Sequence, residues 1–370
     1  MQNSMYSSFQ IGKLTIPNRL AASAMFENGA ENGRISPKIV EHYETLAKGG
    51  AGLIITGMQG VRAKACNAPV MVHTEYETYV QDMQKLAAIV HKEGAKLFVQ
   101  LQHCGAKTGK AEGYDRFSVS DVQMGDDCLY HEATKEELQK LVTDYARSAV
   151  RCRQAGADGV QIHAAHGFLL NSFLSPSTNK RTDEYGGKIE NRARFVFEIY
   201  GAMREAAGKD FAIGIKFPFS DLKENSILPE ESLYVCRELE KRGLDFIEVS
   251  AGMVLDGSSA SFSPVIRENT EATFLPFASL TAAEVSIPVI SVCGYRSPAM
   301  VEKALAETKI AAVSFGRPLV REPDLPLRWK KDTSPAACIS CNGCCKSFAD
   351  GIITCHAEKA EQNKKEREKK

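Results

Sequence analysis

Eight apolar runs of strand length recur along the chain, and a helical pattern follows most of them. The runs cover residues 20–25, 52–58, 96–103, 159–165, 211–217, 245–252, 288–294 and 311–317. Because they are continuously apolar rather than alternating, they suit strands that are buried on both faces of a parallel sheet. Eight strand–helix alternations predict an α/β fold with a single (β/α)8 barrel, a TIM barrel. A doubly wound open sheet is the alternative, since the order of elements does not prove closure.

The helical segments between the runs end in glycine. Gly94, Gly156, Gly208 and Gly243 each follow a helical pattern. This is where a chain commonly turns left-handed before the next strand begins. The glycines therefore support the predicted alternation of helices and strands.

Two segments fall outside this alternation. Residues 9–20 indicate a short hairpin that could close the N-terminal end of the barrel. Residues 106–134 are polar and rich in turn residues, and they follow the third predicted strand. Since such loops lie at the catalytic face of a barrel, this segment is a candidate lid or substrate wall, with a plain insertion as the alternative.

Composition narrows the class of protein. Of 370 residues, 44% are apolar and 25% charged, with 46 basic against 46 acidic side chains. A core of good size is expected, and a balanced charge gives no reason to expect a nucleic-acid partner. No apolar stretch approaches the roughly 18 residues of a membrane span, and the N-terminus lacks the apolar core of a signal peptide. The sequence predicts a cytoplasmic protein with no membrane partner.

The 11 cysteines are unevenly distributed. In a reducing cytoplasm they are not expected to form disulfides. Six scattered cysteines are interpreted as small buried apolar side chains. They are Cys66, Cys104, Cys128, Cys152, Cys236 and Cys293.

Five further cysteines crowd the C-terminal region at positions 338, 341, 344, 345 and 355. Cys338, Cys341, Cys345 and Cys355 give the spacing C-x2-C-x3-C-x9-C, in which one loop can wrap an iron–sulfur cubane and a distant thiolate closes it. Zinc normally uses two C-x2-C pairs, and the second pair is absent. Zinc or no metal are the alternatives, and Cys344 is the competing third ligand.

His163 and His166 stand at the end of the fourth run and are followed by Gly167 and Phe168. Residues three apart face opposite sides of a strand, so both imidazoles reach one pocket only if the chain curls, which Gly167 allows. Two converging imidazoles would polarise a carbonyl, nitro or similar oxygen. The alternative is that one of them is purely structural.

The segment from Leu169 to Gly187, with the following Glu190 to Phe195, closely resembles the signature of the Old Yellow Enzyme family of NADH:flavin oxidoreductases, which are FMN-dependent barrels. Pro17 to Leu20, Val99 to His103 and Phe315 to Arg317 extend the resemblance over almost the whole chain. The C-terminal cysteines are similar to those of its iron–sulfur subgroup, which includes 2,4-dienoyl-CoA reductase and trimethylamine dehydrogenase. The resemblance implies residues 1–335 as an FMN-binding barrel, 336–357 as a 4Fe-4S segment and 358–370 as a charged tail.

The family resemblance also implies positions for the flavin contacts. Lys216 stands where the family carries a cation near the flavin N1 and O2, which lowers the energy of the anionic hydroquinone. Glycine backbone and a guanidinium after the seventh and eighth strands suit the phosphate. The predicted cofactor-binding residues are Met25, Met58, Gln100, Lys216, Gly294, Gly316 and Arg317.

The sequence departs from the family pattern at several positions. Phe168 occupies the place where many ene-reductases carry a proton-donating tyrosine, and Tyr114, Tyr295 or water are candidate substitutes. Gln161 stands where many relatives have glutamate. Relatives with this cysteine pattern usually continue into a second half, whereas this sequence stops at Lys370 and has no glycine-rich dinucleotide fingerprint. We therefore expect electrons to be exchanged with NADH or NADPH, a ferredoxin or a flavoprotein, and a homo-oligomer is compatible with the sequence.

The predicted activity is reduction of an activated C=C bond in a small enone, enoate or enoyl thioester. His163 and His166 would act as catalytic residues that hold the activating oxygen, while hydride comes from the flavin N5. One alternative is an amine or other dehydrogenase or demethylase that passes electrons out through the cluster. A non-catalytic electron carrier is the third possibility.

Overall fold

The computed structural model describes residues 4–66, 70–108, 113–123, 129–253, 266 and 270–368. The strands within these residues are β1 (Phe9–Ile11), β2 (Leu14–Ile16), β3 (Leu20–Ala22), β4 (Leu53–Ile55), β5 (Gln59–Gly60), β6 (Lys96–Gln102), β7 (Phe117–Ser118), β8 (Val122–Gln123), β9 (Leu129–Glu132), β10 (Gly159–His163), β11 (Ala212–Pro218), β12 (Phe246–Ser250), β13 (Val289–Val292) and β14 (Ala312–Phe315).

The helices of the described residues are α1 (Pro37–Lys48), α2 (Tyr79–Lys92), α3 (Lys135–Gln154), α4 (Leu169–Leu174), α5 (Ile189–Arg192), α6 (Arg194–Ala207), α7 (Pro229–Lys241), α8 (Leu275–Glu284), α9 (Pro298–Glu307), α10 (Arg317–Arg321), α11 (Leu325–Arg328) and α12 (His356–Glu368). Short 3-10 helices cover Ala63–Ala65, Gly105–Thr108 and Gly343–Asp350. None of these helices combines the length and the apolar character that a bilayer crossing needs.

Eight of the strands form a closed parallel barrel. Their order is β3, β4, β6, β10, β11, β12, β13 and β14, and β14 pairs again with β3. Each of the eight predicted runs overlaps one of these strands. Closure confirms the barrel and excludes the open sheet.

Local sequence explains where the outer helices begin and end. Ser36 caps α1 by accepting a hydrogen bond from the backbone of Ile39, and Thr134 forms a capping box with Glu137 at the start of α3. The four predicted glycines all adopt positive φ, at 81°, 77°, 80° and 91° in chain order. These conformations cost little only for glycine, so the turns into the strands are well specified.

The predicted N-terminal hairpin is confirmed. Strands β1 and β2 pair antiparallel. Their buried side chains Phe9, Ile11 and Ile16 pack against Phe98 and Phe246, which point into the barrel. The hairpin therefore closes the N-terminal end of the barrel and leaves the opposite end for the site.

One expectation about the cysteines is wrong. Cys66 and Cys104 form a disulfide with their Cα atoms 5.3 Å apart. The backbone N–H of Cys104 donates to the carbonyl of Ala65 at 3.0 Å, which brings the two positions together. Cys152 and Cys236 are buried and form no disulfide, as expected, whereas Cys293 is only half-buried. Cys128 lies outside the described residues.

Candidate active site

A cavity of about 770 Å³, counting its open mouth, lies at the C-terminal ends of the barrel strands. It is lined by His166 and by five of the seven residues predicted to bind the cofactor. Those five are Met25, Lys216, Gly294, Gly316 and Arg317. The parallel strands thus bring together residues that are almost three hundred positions apart, as expected for the catalytic face of a barrel.

The two predicted catalytic histidines converge beside this cavity. Strand β10 ends at His163, and the chain then curls through His166 and Gly167, whose φ values are 64° and 79°. The imidazole rings meet edge to face with their centroids 5.2 Å apart. His166 Nε2 lies 2.7 Å from Oγ of Ser250, at the end of β12. The curl that Gly167 allows is therefore present.

Both imidazoles are held neutral. Burial lowers the pKa of His163 well below its usual value, and His166, Lys216 and Lys107 lower it further. Burial likewise lowers the pKa of His166, with help from Lys216 and Lys107. Neutral imidazoles can each donate one N–H, so the pair can bind an oxygen acceptor without adding charge to the site.

Lys216 belongs to a buried ion pair. Its Nζ atom lies 3.1 Å from Oε2 of Glu248 and donates to Oγ of Ser23 at 2.8 Å. Burial alone would raise the pKa of Glu248, but the charge of Lys216 and hydrogen bonds from serine and glutamine side chains bring it below its usual value. Lys216 is thus an interior cation with a fixed position.

The ion pair continues into a network that crosses the barrel interior. Glu248 Oε1 accepts from Ser23 at 2.7 Å and from Ser314 at 2.6 Å. Gln161 Nε2 donates to Glu248 Oε2 at 2.8 Å, and Gln100 Nε2 donates to Gln161 Oε1 at 2.7 Å. Gln100 lies at the end of this chain of hydrogen bonds. The amide at position 161 is thus hydrogen-bonded to a carboxylate on β12.

Glu248 and Glu27 are two buried carboxyl groups that sequence reasoning missed. Glu27 follows β3 and accepts hydrogen bonds from the hydroxyl of Tyr43 and from the backbone of Gly57, the latter at 3.0 Å. Burial raises the pKa of Glu27 to about 7. The only sequence signal was a single charged residue beside or within an apolar run.

Met58 and His163 lie beside Phe168 rather than in the lining of the cavity. Phe168 is buried in a cluster with Phe26, Met58 and the Cys66–Cys104 disulfide. Its ring centroid lies 5.0 Å from that of His163. The Nζ atom of Lys107 lies 4.7 Å from the centroid of Phe168. The ammonium of Lys107 therefore lies next to Phe168, the residue that replaces the tyrosine of many ene-reductases.

Of the two tyrosines suggested as proton donors, Tyr295 lines the cavity. Its hydroxyl donates to Oγ of Ser291 at 2.8 Å, and burial raises its pKa well above the usual value. Tyr114 is half-buried. Tyr295 is therefore a poor acid at neutral pH.

A second cavity, of about 320 Å³, lies at the C-terminal cysteines. Cys338, Cys341, Cys344 and Cys355 line it. Cys345 is not among the lining residues, although its thiol hydrogen-bonds that of Cys344 and raises the pKa of Cys344. Within the described part of the chain, no three potential ligands lie close enough together to hold a metal ion. Thiols are the ligands that an iron–sulfur cluster requires, but the described ones do not lie close enough together in this structure to coordinate one.

Arg317 lies between the two cavities and lines both. Its Nη1 atom donates to Oδ1 of Asn342 at 2.6 Å. Its charge also lowers the pKa of Cys338 against the larger effect of burial. Ser340, beside the first cluster-segment cysteines, is buried and lines the larger cavity. The cysteine-rich segment therefore packs directly against the barrel cavity.

Two glycines line the larger cavity at positions where a side chain would not fit. Gly294 has φ 96°, and a Cβ atom there would lie 3.0 Å from the backbone nitrogen of Ala272. A Cβ atom on Gly316 would lie 2.7 Å from Sδ of Met25. Glycine at both positions keeps the backbone close to the cavity, and Arg317 supplies a cation beside it. The fold and this site define a (β/α)8 barrel with an open cavity at its C-terminal face.

The chain belongs to the NADH:flavin oxidoreductase / NADH oxidase family, whose profile matches residues 4–335. It is 34% identical to an NADH oxidase of Thermoanaerobacter brockii over 352 residues, which is 92% of this chain and 53% of that protein. It is 32% identical to a metal reductase of Desulforamulus reducens, over 94% of this chain and 52% of that protein. The chain therefore spans about half the length of these two relatives.

A solved structure of 2-naphthoyl-CoA reductase with 2-naphthoyl-CoA is similar throughout the chain. The TM-score is 0.87 at 25% identity, and the match covers 96% of this chain and 57% of that chain. Because the match covers 96% of the chain, it includes residues beyond 335, where the family profile ends.

Proposed function

We propose that this chain is the FMN-binding barrel of an oxidoreductase that reduces a C=C bond conjugated to a carbonyl group. The observation that carries the proposal is the neutral His163–His166 pair, which converges beside a cavity that also contains Lys216. Two N–H donors aimed at one oxygen would draw electron density out of a conjugated alkene and make its β carbon electrophilic. The substrate class is an enone, enoate or enoyl thioester, and the 2-naphthoyl-CoA bound to the similar reductase is a conjugated thioester.

We propose that seven residues hold FMN. Arg317, Gly294 and Gly316 would bind the phosphate, and Lys216 would lie at the pyrimidine edge with Gln100 nearby. Met25 and Met58 would flank the ring system. When bound and reduced, FMN supplies a hydride equivalent. The chain's own contribution is to bind the substrate oxygen with His163 and His166, to fix a positive charge at Lys216, and to exclude water with the apolar cluster around Phe168.

We further propose that residues 336–357 bind a 4Fe-4S cluster, as in the iron–sulfur subgroup that the sequence resembles. Cys338, Cys341 and Cys355 would be three of its ligands, and the family resemblance favours Cys345 as the fourth. The cavity lining favours the neighbouring Cys344 instead. Arg317 touches both cavities, so a cluster there would lie close to the flavin and could relay electrons. NADH, NADPH, a ferredoxin or another flavoprotein is the proposed donor or acceptor, and a cytoplasmic location and a homo-oligomer stay predictions.

Anaerobic purification followed by flavin, iron and sulfide quantitation tests the cofactors. One FMN and about four iron atoms per chain are expected. Reduced protein is then mixed with enones, enoates and enoyl thioesters in a stopped-flow spectrometer. Reoxidation by at least one class, lost in His163→Asn/His166→Asn and retained in a His91→Asn control, supports the proposal. Failure of every substrate to reoxidise the wild-type flavin would refute it.

Phe168 favours a second candidate, in which the flavin accepts electrons from an amine or another reduced substrate. That direction requires no proton donor at position 168. Bleaching of the oxidised flavin by secondary or tertiary amines, without any external reductant, would support it. Bleaching by NADH or NADPH alone would exclude it.

A further inference from the structure

Alkene reduction requires a proton as well as a hydride, and Phe168 cannot supply one. Its ring packs against His163 with the centroids 5.0 Å apart, so it stands directly beside the proposed substrate-binding imidazoles. Tyr295 is bound to Ser291 and has a raised pKa. Beside water and Tyr114, a described side chain that carries a proton near His163, His166 and Phe168 is therefore a candidate donor.

Lys107 lies at that place. It belongs to the 3-10 helix Gly105–Thr108, which directly follows β6. Its ammonium group donates to the carbonyl oxygen of His166 at 2.9 Å and lies 4.7 Å from the centroid of the Phe168 ring. Its charge acts on both imidazoles. Lys107 thus contacts the same turn that carries the proposed oxygen-binding histidines.

The charges around the turn suit proton donation by a cation. Both imidazoles are neutral, and the charge of Lys216 is paired with Glu248. Negative charge that develops on a substrate during hydride addition would lie near the ammonium of Lys107, which can stabilise it and then neutralise it by proton transfer. The side chain is half-buried, so it can recover a proton from water after each turnover.

We propose that Lys107 is the general acid of the reduction. This inference rests on the proposed function. The Lys107 ammonium would give its proton to the α carbon, while the hydride equivalent that a bound, reduced FMN would supply, with its two electrons, goes to the β carbon. The π bond breaks, two C–H bonds form, the flavin is oxidised and the lysine is left neutral until water returns its proton.

Two substitutions separate acid catalysis from a purely structural or electrostatic role. Lys107→Arg keeps the charge and a donor for the His166 carbonyl, but a guanidinium does not give up its proton in proteins. Lys107→Met removes the charge, the donor and the acid. Lys64→Met, an exposed lysine on a neighbouring 3-10 helix, is the control.

Each holoenzyme is photoreduced anaerobically and mixed either with an enone or with a quinone, whose reduction needs no proton on carbon. We expect Lys107→Arg and Lys107→Met to slow reoxidation by the enone about 10²-fold or more, as for loss of a general acid. Reoxidation by the quinone should be unchanged in both. In D₂O the wild type should label one face of the α carbon, and both variants should label both faces.

A binding measurement on oxidised holoenzyme checks the placement of the charge. The charge-transfer band with 4-chlorophenol should report about tenfold weaker binding to Lys107→Met and unchanged binding to Lys107→Arg, because only Lys107→Met removes the positive charge near the bound phenolate. Unchanged binding to Lys107→Met would overturn the placement.

Wild-type enone rates and single-face labelling in Lys107→Arg would overturn the acid role and leave Lys107 as a positioning charge. Failure of the proposed function looks different. In that case the wild type itself is reoxidised by the quinone but by no enone, and the inference about Lys107 falls with it.

Discussion

The ammonium of Lys216, which lines the larger cavity, lies 3.1 Å from a carboxylate oxygen of Glu248, and the two side chains are 4% and 0% exposed. The charge of Lys216, which would face the flavin, is therefore partly neutralised by Glu248. Removing either partner leaves a charge in the barrel interior without its counterion.

We predict that Glu248→Gln and Lys216→Met each lower the free energy of unfolding of the apoprotein by about 3–5 kcal/mol, because a buried charge is left unpaired. The double variant should recover most of that loss, since both charges are then gone. Urea unfolding at pH 7 measures this. Lys13→Met, which removes the exposed pair of Lys13 with Asp210, should have little effect. Additive losses in the double variant would contradict the coupling.

The same two variants should shift the flavin potential in opposite directions. Glu248→Gln removes negative charge near Lys216, so the anionic hydroquinone is stabilised and the midpoint potential rises. Lys216→Met removes the cation and lowers the potential. Spectroelectrochemical titration of the reconstituted proteins measures both shifts, and shifts of the same sign would contradict the assignment.

Glu27 should make stability depend on pH in a defined window. Its pKa is raised from 4.5 to about 7 in the folded protein, so the folded state binds more protons than the unfolded state between these values. The free energy of unfolding should therefore fall as pH rises from about 4.5 to about 7, by up to about 3 kcal/mol. Below the window this contribution to stability is fully present.

Glu27→Gln should lack this slope. The measurement is the difference between wild type and variant in urea unfolding from pH 4.5 to 8, which cancels the opposite effect of the buried histidines. Glu41→Gln, an exposed position on α1, is the control and should follow the wild type. A constant difference between wild type and Glu27→Gln across the window would exclude titration of Glu27.

The two adjacent thiols at positions 344 and 345 can be distinguished by iron content. We predict that Cys345→Ser loses the cluster and that Cys344→Ser retains about four iron atoms per chain. The reason is that resemblance to the iron–sulfur subgroup favours Cys345, in the spacing C-x2-C-x3-C, as the ligand. Cys341→Ser should lose the cluster in any case. Iron loss in Cys344→Ser and retention in Cys345→Ser would assign the ligand to the thiol that lines the cavity.

Arg317→Lys should weaken binding of FMN about 10- to 100-fold, because a planar guanidinium binds phosphate through paired hydrogen bonds that lysine cannot form. Fluorescence titration of the apoprotein measures it. Riboflavin, which lacks the phosphate, should bind wild type and variant equally. Arg328→Lys on α11 is the remote control. An equal loss for riboflavin would show that Arg317 does not bind the phosphate.

The barrel strands could be predicted from sequence because burial on both faces requires an uninterrupted apolar run. The run 211–217 and the strand Ala212–Pro218 differ by only one residue at each end. The curl after His163 was also predictable, since Gly167 is the local residue that permits it. These features depend on nearby residues alone.

The parts of the site that could not be predicted from sequence depend on which strands and loops meet once the barrel is closed. Glu248 is a single polar residue in an apolar run, and its partner Ser23 directly follows β3, which is not a neighbour of β12. Lys107 lies in a polar segment without periodicity, so its place over Phe168 is set by packing. The Cys66–Cys104 pairing likewise depends on a tertiary contact, and the argument from the redox compartment pointed the other way.

The backbone N–H of Ile353 donates to the carbonyl of Glu27 at 2.7 Å, and Ile352 packs against Gly29. The ribosome therefore completes nearly the whole barrel before the partner of this first loop is made. Contacts of such long sequence separation form late in folding. The loop that carries Met25 gains these contacts only after the cysteine-rich segment has been made, so a nascent barrel completes its cavity only once Ile352 and Ile353 have been added.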